Sequence, residues 1–481
     1  MKCKKINLFM IVLLFVALFN DRVGDAATAN TALLDVNKGR TLVPIRFVSE
    51  QFGAKVTWDG PHQTVLIEKQ DSKILLKIGD TNVTVDKVTK TIDAPPFIKD
   101  STTYVPLRFI STVFGVEPVW NDKTATVSIE IEGKTITLNV VKYHSTQPIT
   151  SKDTPITVAS KSFKVGTKTI NANVLTVDLN NPSVDLKVAL AKDQVGKVES
   201  LADIAKRNNA TIAINGTFFD AYSEELQEPY GMLIVDGNIV HLGRERTVFS
   251  FDGENNVSFA IMNPTVQGAT DGSDKWPNNW YAYWINRTPQ ANAAANAIIF
   301  TRDRGQTVGF THGTNVIVED GKVKEIVSGK DVAIPQNGYV INLMGSEVHS
   351  LLSRFKVGTT VDYKIVSDGI DFSTIEGAVG AGPRLLTAGK TSIDFDLEKF
   401  TEDKIRTGSA ARSAIGITQD NKLILLTTAA TMHEVAEMMK QAGAYDAMNL
   451  DGGASSGLYY DGKYITTPGR DISNAILIQI K

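Results

Sequence analysis

The chain carries two rhythms of apolar residues. Between residues 30 and 140, short runs such as TVLIEK, KILLKIG, ATVSIEI and KTITLNV alternate apolar and polar positions, which predicts strands with one buried face. They flank two related stretches, TLVPIRFVSEQFGAKVTWDG (41–60) and TYVPLRFISTVFGVEPVWND (103–122), which align without gaps at an offset of 62 residues. Each copy predicts a short extended lead-in, a helix of about ten residues and then a strand; the proline suits the first helical turn and the glycine the helix end. Beyond residue 158 the picture is mixed. SFKVGTKTINANVLTVDL and SVDLKVALA alternate with period two, LADIAKRNN (201–209) reads as a helix, and TIAING (211–216) as a buried strand. TMHEVAEMMKQAG (431–443) is the clearest amphipathic helix, and YDAMNLD (445–451) the strand after it. Asp-Gly and Asn-Gly pairs between the runs predict hairpins.

These patterns predict a fold of class α+β or mixed α/β. A small α+β repeat module (27–141) would be joined by a Ser/Thr/Lys/Pro-rich linker (142–157) to a large mixed-sheet domain (158–481). A basic start, MKCKK, precedes the apolar run INLFMIVLLFVALF, which is short for a membrane span. Small residues follow, so 1–26 reads as a signal peptide. The only cysteine is Cys3, inside that segment, so the exported chain would have no disulfide, thiol nucleophile or thiolate metal ligand. Export without disulfides leans toward a secreted or surface protein of a Gram-positive-like cell. A net charge of −3 argues against a nucleic-acid partner, and no other segment reads as a membrane span.

The candidate chemistry clusters at strand ends beside glycine turns. Asn215 opens NGTFFD, which ends at Asp220. Arg384 sits on GAGPRLL, and Arg412 precedes the strand pair AIGIT and LILLTT. Asn449 and Asp451 lead into NLDGGASSG, with Gly452, Gly453, Ser455 and Ser456. Arg470 and Asn474 frame RDISN before the last strand. Bare backbone after Asp451 lets a ligand approach closely. Gly453–Gly457 also fits the G-x-S-x-G nucleophile elbow around Ser455, but LYYDGKYI after it reads as a strand and His433 lies upstream of the serine. LLTAGKT (385–391) lacks the first glycine of a phosphate loop, because residue 384 is an arginine.

The repeats VPIRFVSEQFG…VTWD and VPLRFISTVFG…VWND resemble the copper amine oxidase N-terminal-like domain. Copper itself has no support in the residues, since His62 is the region's only histidine. In the large domain NGTFFD, GMLIVDGNIVH, IIFTRDRGQT, GPRLL, ARSAIGIT, NLDGGASSGLYYDG and GRDISNAILI follow in order. That series resembles the phosphodiester glycosidase family, which includes N-acetylglucosamine-1-phosphodiester α-N-acetylglucosaminidase. Two departures, Ala454 and Thr217 in place of glycines, would narrow its pocket.

The resemblance implies a hydrolase cleaving the glycosidic bond of a sugar-1-phosphodiester in cell-wall or exopolysaccharide material. Arginines bind phosphate through a planar fork, which nominates Arg412, Arg470 and Arg384. Asp451 is the first candidate for the catalytic carboxylate and Asp220 the second, as nucleophile or as base for water. Asn215 and Asn449 would hold sugar hydroxyls or the acetamido group. Gly452 and Gly453 would turn backbone N–H groups toward the phosphate, with Ser455 or Ser456 as further donors. Hard oxygen ligands at Asp451 and Asp220 leave a divalent cation open. The N-terminal module would attach this hydrolase to the wall, and two other readings stand beside it: a surface protein that binds glycan without turnover, and a serine hydrolase using Ser455.

Overall fold

The computed structural model describes residues 30–143 and 155–481, apart from 36–39, 71, 93, 100–101, 122–123, 132, 244–245 and 368. The segment read as a signal peptide and most of the linker lie outside the described residues. The chain divides into two compact units, Met1–Tyr143 and His144–Lys481.

In the first unit the two repeats fold alike and meet. The strands Arg40–Pro44 and Thr102–Pro106 pair antiparallel, with Val43 opposite Val105. Each runs directly into a helix, Ile45–Gln51 or Leu107–Phe114, shorter than the spacing suggested. The prolines sit one residue before the helices, at φ −66° and −57°, where a missing N–H costs nothing. The equivalent Phe52 and Phe114 rings stack at 4.3 Å in a shared core with Val43, Val105 and Ile110. A seven-stranded sheet contains the paired repeat strands, and a five-stranded sheet runs from Lys55–Asp59 to Val88–Thr91.

The second unit is dominated by strand. Its seven-stranded sheet has the order Ile156–Val165, Lys168–Asp178, Lys422–Ala430, Ala410–Ile417, Asp446–Asn449, Arg384–Thr387, Lys390–Thr391. A five-stranded sheet follows the order Val184–Leu190, Asn474–Ile480, Ile212–Asn215, Leu458–Tyr460, Lys463–Thr466. One apolar core joins them, with Leu175, Val177 and Ile415 from the first packed with Ile212, Ile214 and Ile476 from the second. That core also reaches Leu233, Phe249 and Val379 of a third sheet.

The α+β or mixed α/β expectation is therefore too rich in helix. The molecule is mostly β, in several sheets. Among the described residues of this unit, only Trp284–Ile285 and Ala295–Phe300 pair in parallel. The physical reason lies in the turns. Asp461-Gly462, with φ of 45° and 82°, closes a tight hairpin between Leu458–Tyr460 and Lys463–Thr466, and such turns join antiparallel neighbours without a crossover helix. Met432–Gln441 is a helix as its periodicity predicts. Thr431 and Glu434 form a reciprocal cap at its start, and its Met432, Val435, Ala436 and Met439 face is buried.

Candidate active site

Two sheets deliver their strand ends to one place. Asp446–Asn449 ends the buried run before Asp451, while Ile212–Asn215 ends beside it. Asn215 is the tie between them. Its amide donates to the Asp451 carbonyl at 2.8 Å, and its oxygen accepts from Ser413 Oγ at 2.7 Å and Gly457 N at 3.0 Å. The Asp451 N–H donates to the Gly216 carbonyl at 2.9 Å. Asn474 braces the neighbouring turn, accepting from the Thr217 N–H at 2.9 Å. Buried amides saturated in this way hold backbone rather than ligand.

A cleft of about 420 Å³ opens over this junction. Asp451, Gly452, Gly453, Ala454 and Ser455 form one wall, and Phe218, Phe219 and Tyr222 another. Arg246, Lys404, Glu402, Phe400 and Arg470 complete it. The Asp451 carboxylate accepts from the Gly452 N–H at 2.8 Å and from the Ser455 hydroxyl. Burial pushes its pKa up to about 6, against the pull of those donors and of the nearby Arg470 and Lys404 charges. Arg470 lies against Tyr222, with its guanidinium 5.0 Å from the ring and 3.1 Å from the hydroxyl. Arg246 packs over Phe400 at 3.9 Å. The cleft thus combines one perturbed carboxylate, three cations and aromatic walls.

The residues singled out in the sequence divide. Asp451, Gly452, Gly453, Ser455 and Arg470 line the cleft. Asp220 sits in the loop between the lining residues Phe219 and Ala221 but is not itself in the wall. Arg412 is buried beneath the loop. It donates to the carbonyls of Ala430 at 3.2 Å, Lys404 at 2.5 Å and Gly408 at 2.8 Å, so it positions the segment that carries Lys404 and does not reach the cleft. Arg384 is ion-paired with Asp446 at 2.6 Å, at the far end of the strand that leads to Asp451. Asn449 donates to the Gly382 carbonyl at 3.0 Å from a fully buried position. Ser456 faces a separate hollow behind the loop, lined by Asn173, Thr427 and Thr466.

The glycines also divide. A side chain at Gly452 would stand 2.8 Å from the Ala411 carbonyl, whereas Gly453, at φ +62°, has open space beside it. Thr217 does not narrow the cleft, because it is buried with its hydroxyl donating to the Gly380 carbonyl. After a single turn at Gly453–Ser455 the chain enters the strand Leu458–Tyr460, so the strand–turn–helix of a nucleophile elbow is not formed.

Sequence reasoning missed Arg246, Lys404, Glu402 and Tyr222. Each belongs to a stretch without a motif, and only the charge-dense RERT (244–247) offered a signal. Among the described residues no three His, Cys, Asp or Glu side chains gather as a metal cluster. His62, the first unit's sole described imidazole, is exposed and bonded to Asp59 at 2.8 Å, a donor set that does not fit copper.

Residues 312–479 match the family model described as phosphodiester glycosidase, and residues 25–129 that of the copper amine oxidase N-terminal domain. Both resemblances read in the sequence hold. The first match is narrower than 158–481, although Lys168–Asp178 and Ile212–Asn215, which precede it, pair with strands inside it. A Brevibacillus choshinensis protein named "Protease inhibitor" is 29% identical over 96 residues, 20% of this chain. The alignment spans only 29% of that relative's length. A hypothetical protein from Synechocystis superposes with TM-score 0.61 at 16% identity, over 92% of this chain and 94% of its own. A Burkholderia pseudomallei K96243 protein described as exported gives TM-score 0.54 at 19% identity, over 65% of this chain and 74% of its own. At these identities the structural likeness concerns the fold.

Proposed function

We propose that the second unit is a hydrolase that cleaves the glycosidic bond of a sugar-1-phosphodiester, using the Asp451 carboxylate. The observation that carries this reading is a carboxylate with a pKa near 6 in a cleft that also presents Arg470, Lys404 and Arg246. The family match at 312–479 supports the same reaction class. A phosphodiester brings a permanent negative charge beside the anomeric carbon, and the three cations answer it. The phosphate leaves as a stable anion, so a strong general acid is not required. What the reaction needs is a base for water and a negative group facing the developing oxocarbenium charge. Asp451 suits both roles, because a general base works best with a pKa near the operating pH. The Gly452 N–H and Ser455 hydroxyl keep its carboxylate in one orientation. Phe218 and Phe219 offer apolar faces to a sugar ring. In this reading the substrates are sugar-1-phosphodiesters of wall polymer or exopolysaccharide, met outside the cell, with the N-terminal module as a wall attachment.

The test is hydrolysis of N-acetylglucosamine-1-phospho-methyl diester by purified protein and by Asp451→Asn, with folding checked by circular dichroism. Sugar release by the wild type should fall about a thousandfold or more in the variant. Equal rates would remove Asp451 from the chemistry. Binding of the diester without any release would favour a glycan-binding protein.

A further inference from the structure

The first unit has a hollow of its own, of about 440 Å³. That is within the range of small-ligand pockets, roughly 300–1,000 Å³. Its walls follow from the first repeat. In the strand Lys55–Asp59 alternate side chains share a face. Val56 on that face is buried in the core, and Trp58, two residues on, is 38% exposed and lines the hollow. In the helix Ile45–Gln51 the buried side is Ile45, Val48 and Ser49. Arg46 and Glu50, one turn apart, lie on its outer side, and both line the hollow. The strands Phe97–Lys99 and Thr102–Pro106 close it, with Thr102 and with Ile98 opposite Thr103.

Two observations set this surface apart from core left uncovered. The first is that the sequence repeats it. Arg108 and Trp120 stand 62 residues after Arg46 and Trp58, and Trp120 is 40% exposed. Tryptophan is on average a highly buried residue, so its exposure in both copies calls for a reason other than packing. The second is that the polar groups are balanced. Arg46 and Glu50 pair across 3.9 Å, longer than a hydrogen bond, and each side chain is more than half exposed. The pair cancels in charge, yet its guanidinium N–H groups and carboxylate oxygens can still take hydrogen bonds. The Thr102 and Thr103 hydroxyls can donate and accept. A charged ligand would attract one member of the pair and repel the other. A neutral ring of hydroxyls suits both, donating to Glu50 and accepting from Arg46, while its apolar face lies on the Trp58 indole.

We propose that this hollow is a binding site for a neutral pyranose unit of a wall glycan, with Trp58 as the stacking face and Arg46, Glu50 and the two threonines as partners of its hydroxyls. The inference rests on the reading of the N-terminal module as a wall attachment, and it names the place and the chemistry of that attachment. It is independent of the hydrolase reading of the second unit.

The experiment measures co-sedimentation of the full chain with peptidoglycan sacculi stripped of anionic polymers, for the wild type, Trp58→Ala and Arg46→Ala, with folding checked by circular dichroism. The wild type should bind, and chitotetraose should displace it. Trp58→Ala should bind about tenfold more weakly and Arg46→Ala about threefold. Binding that survives either substitution in a folded variant, or that a free wall stem peptide displaces in place of chitotetraose, overturns the site and leaves the attachment standing. If Trp58→Ala does not fold, Arg46→Ala alone decides. If the wild type does not bind sacculi, the attachment reading is what fails. Calorimetric titration with chitotetraose then decides the site by itself: weaker binding by the folded variants upholds it, and equal or absent binding overturns it.

Discussion

The loop after Asp451 has a front and a back, built from similar residues to opposite ends. In front, Arg470, Lys404 and Arg246 line a cleft with a single perturbed carboxylate among them. Behind, Arg412, Asn215, Asn449 and Asn474 are buried and donate to backbone carbonyls or accept from backbone N–H groups. In the proposed function an arginine in front is a ligand for charge, whereas an arginine behind is a strut. The difference is which atoms it meets, not which residue it is. A motif rich in Arg and Asn therefore marks the neighbourhood of a site while much of it serves the scaffold.

Substitutions on the two faces should fail differently. The largest effect is expected behind the loop. Asn215→Ala strands the Asp451 carbonyl, the Ser413 hydroxyl and the Gly457 N–H without their partner, which should cost roughly 3 kcal/mol of stability. Urea unfolding would read it, and a loss within experimental error would show that these groups find other partners. In front, Arg470→Met should leave the unfolding midpoint in place and raise KM for a diester by about thirtyfold, near 2 kcal/mol, with a smaller change in kcat. An unchanged KM would return Arg470 to the scaffold.

The smallest effect sharpens the comparison at Asp451 itself. Its pKa in the folded protein is raised to about 6, so the cost of ionising it sets in above the unfolded carboxyl pKa and is complete once the pH has passed about 6. The favourable contribution of its protonated form is complete below the unfolded carboxyl pKa and is lost as pH rises through 6. Asp451→Asn, which cannot ionise, should thus gain up to about 2 kcal/mol on the wild type between pH 4 and pH 8. A variant whose stability tracks the wild type across that range would mean the carboxylate is not strained by burial.

Much of the fold was legible where the signal is local. The two repeats announce themselves through Val-Pro-Ile-Arg-Phe and Val-Pro-Leu-Arg-Phe, and the Met432–Gln441 helix through its period. Asp451 stood out because bare backbone follows a buried strand. The dominance of antiparallel strand was less visible, since runs such as AILI (475–478) are apolar throughout and carry no period of their own. The other half of the site lay out of reach. Arg246 and Tyr222 come from loops and Lys404 from the short helix Asp403–Arg406, and they converge only when the sheets pack. Nor could spacing tell that the Arg412 fork turns inward to Ala430, Lys404 and Gly408 while the Arg470 fork faces the cleft.

The pairing of Val43 with Val105 and the stacking of Phe52 on Phe114 bear on how such a module can change in copy number. Each repeat covers the open edge of the other. Deleting one copy would bare a strand's hydrogen-bonding edge and half of a shared core, an invitation to pair with another chain. The unit of inheritance is thus the couple: a single copy is a monomer in search of a twin, and growth by whole pairs leaves neither repeat strand without its partner.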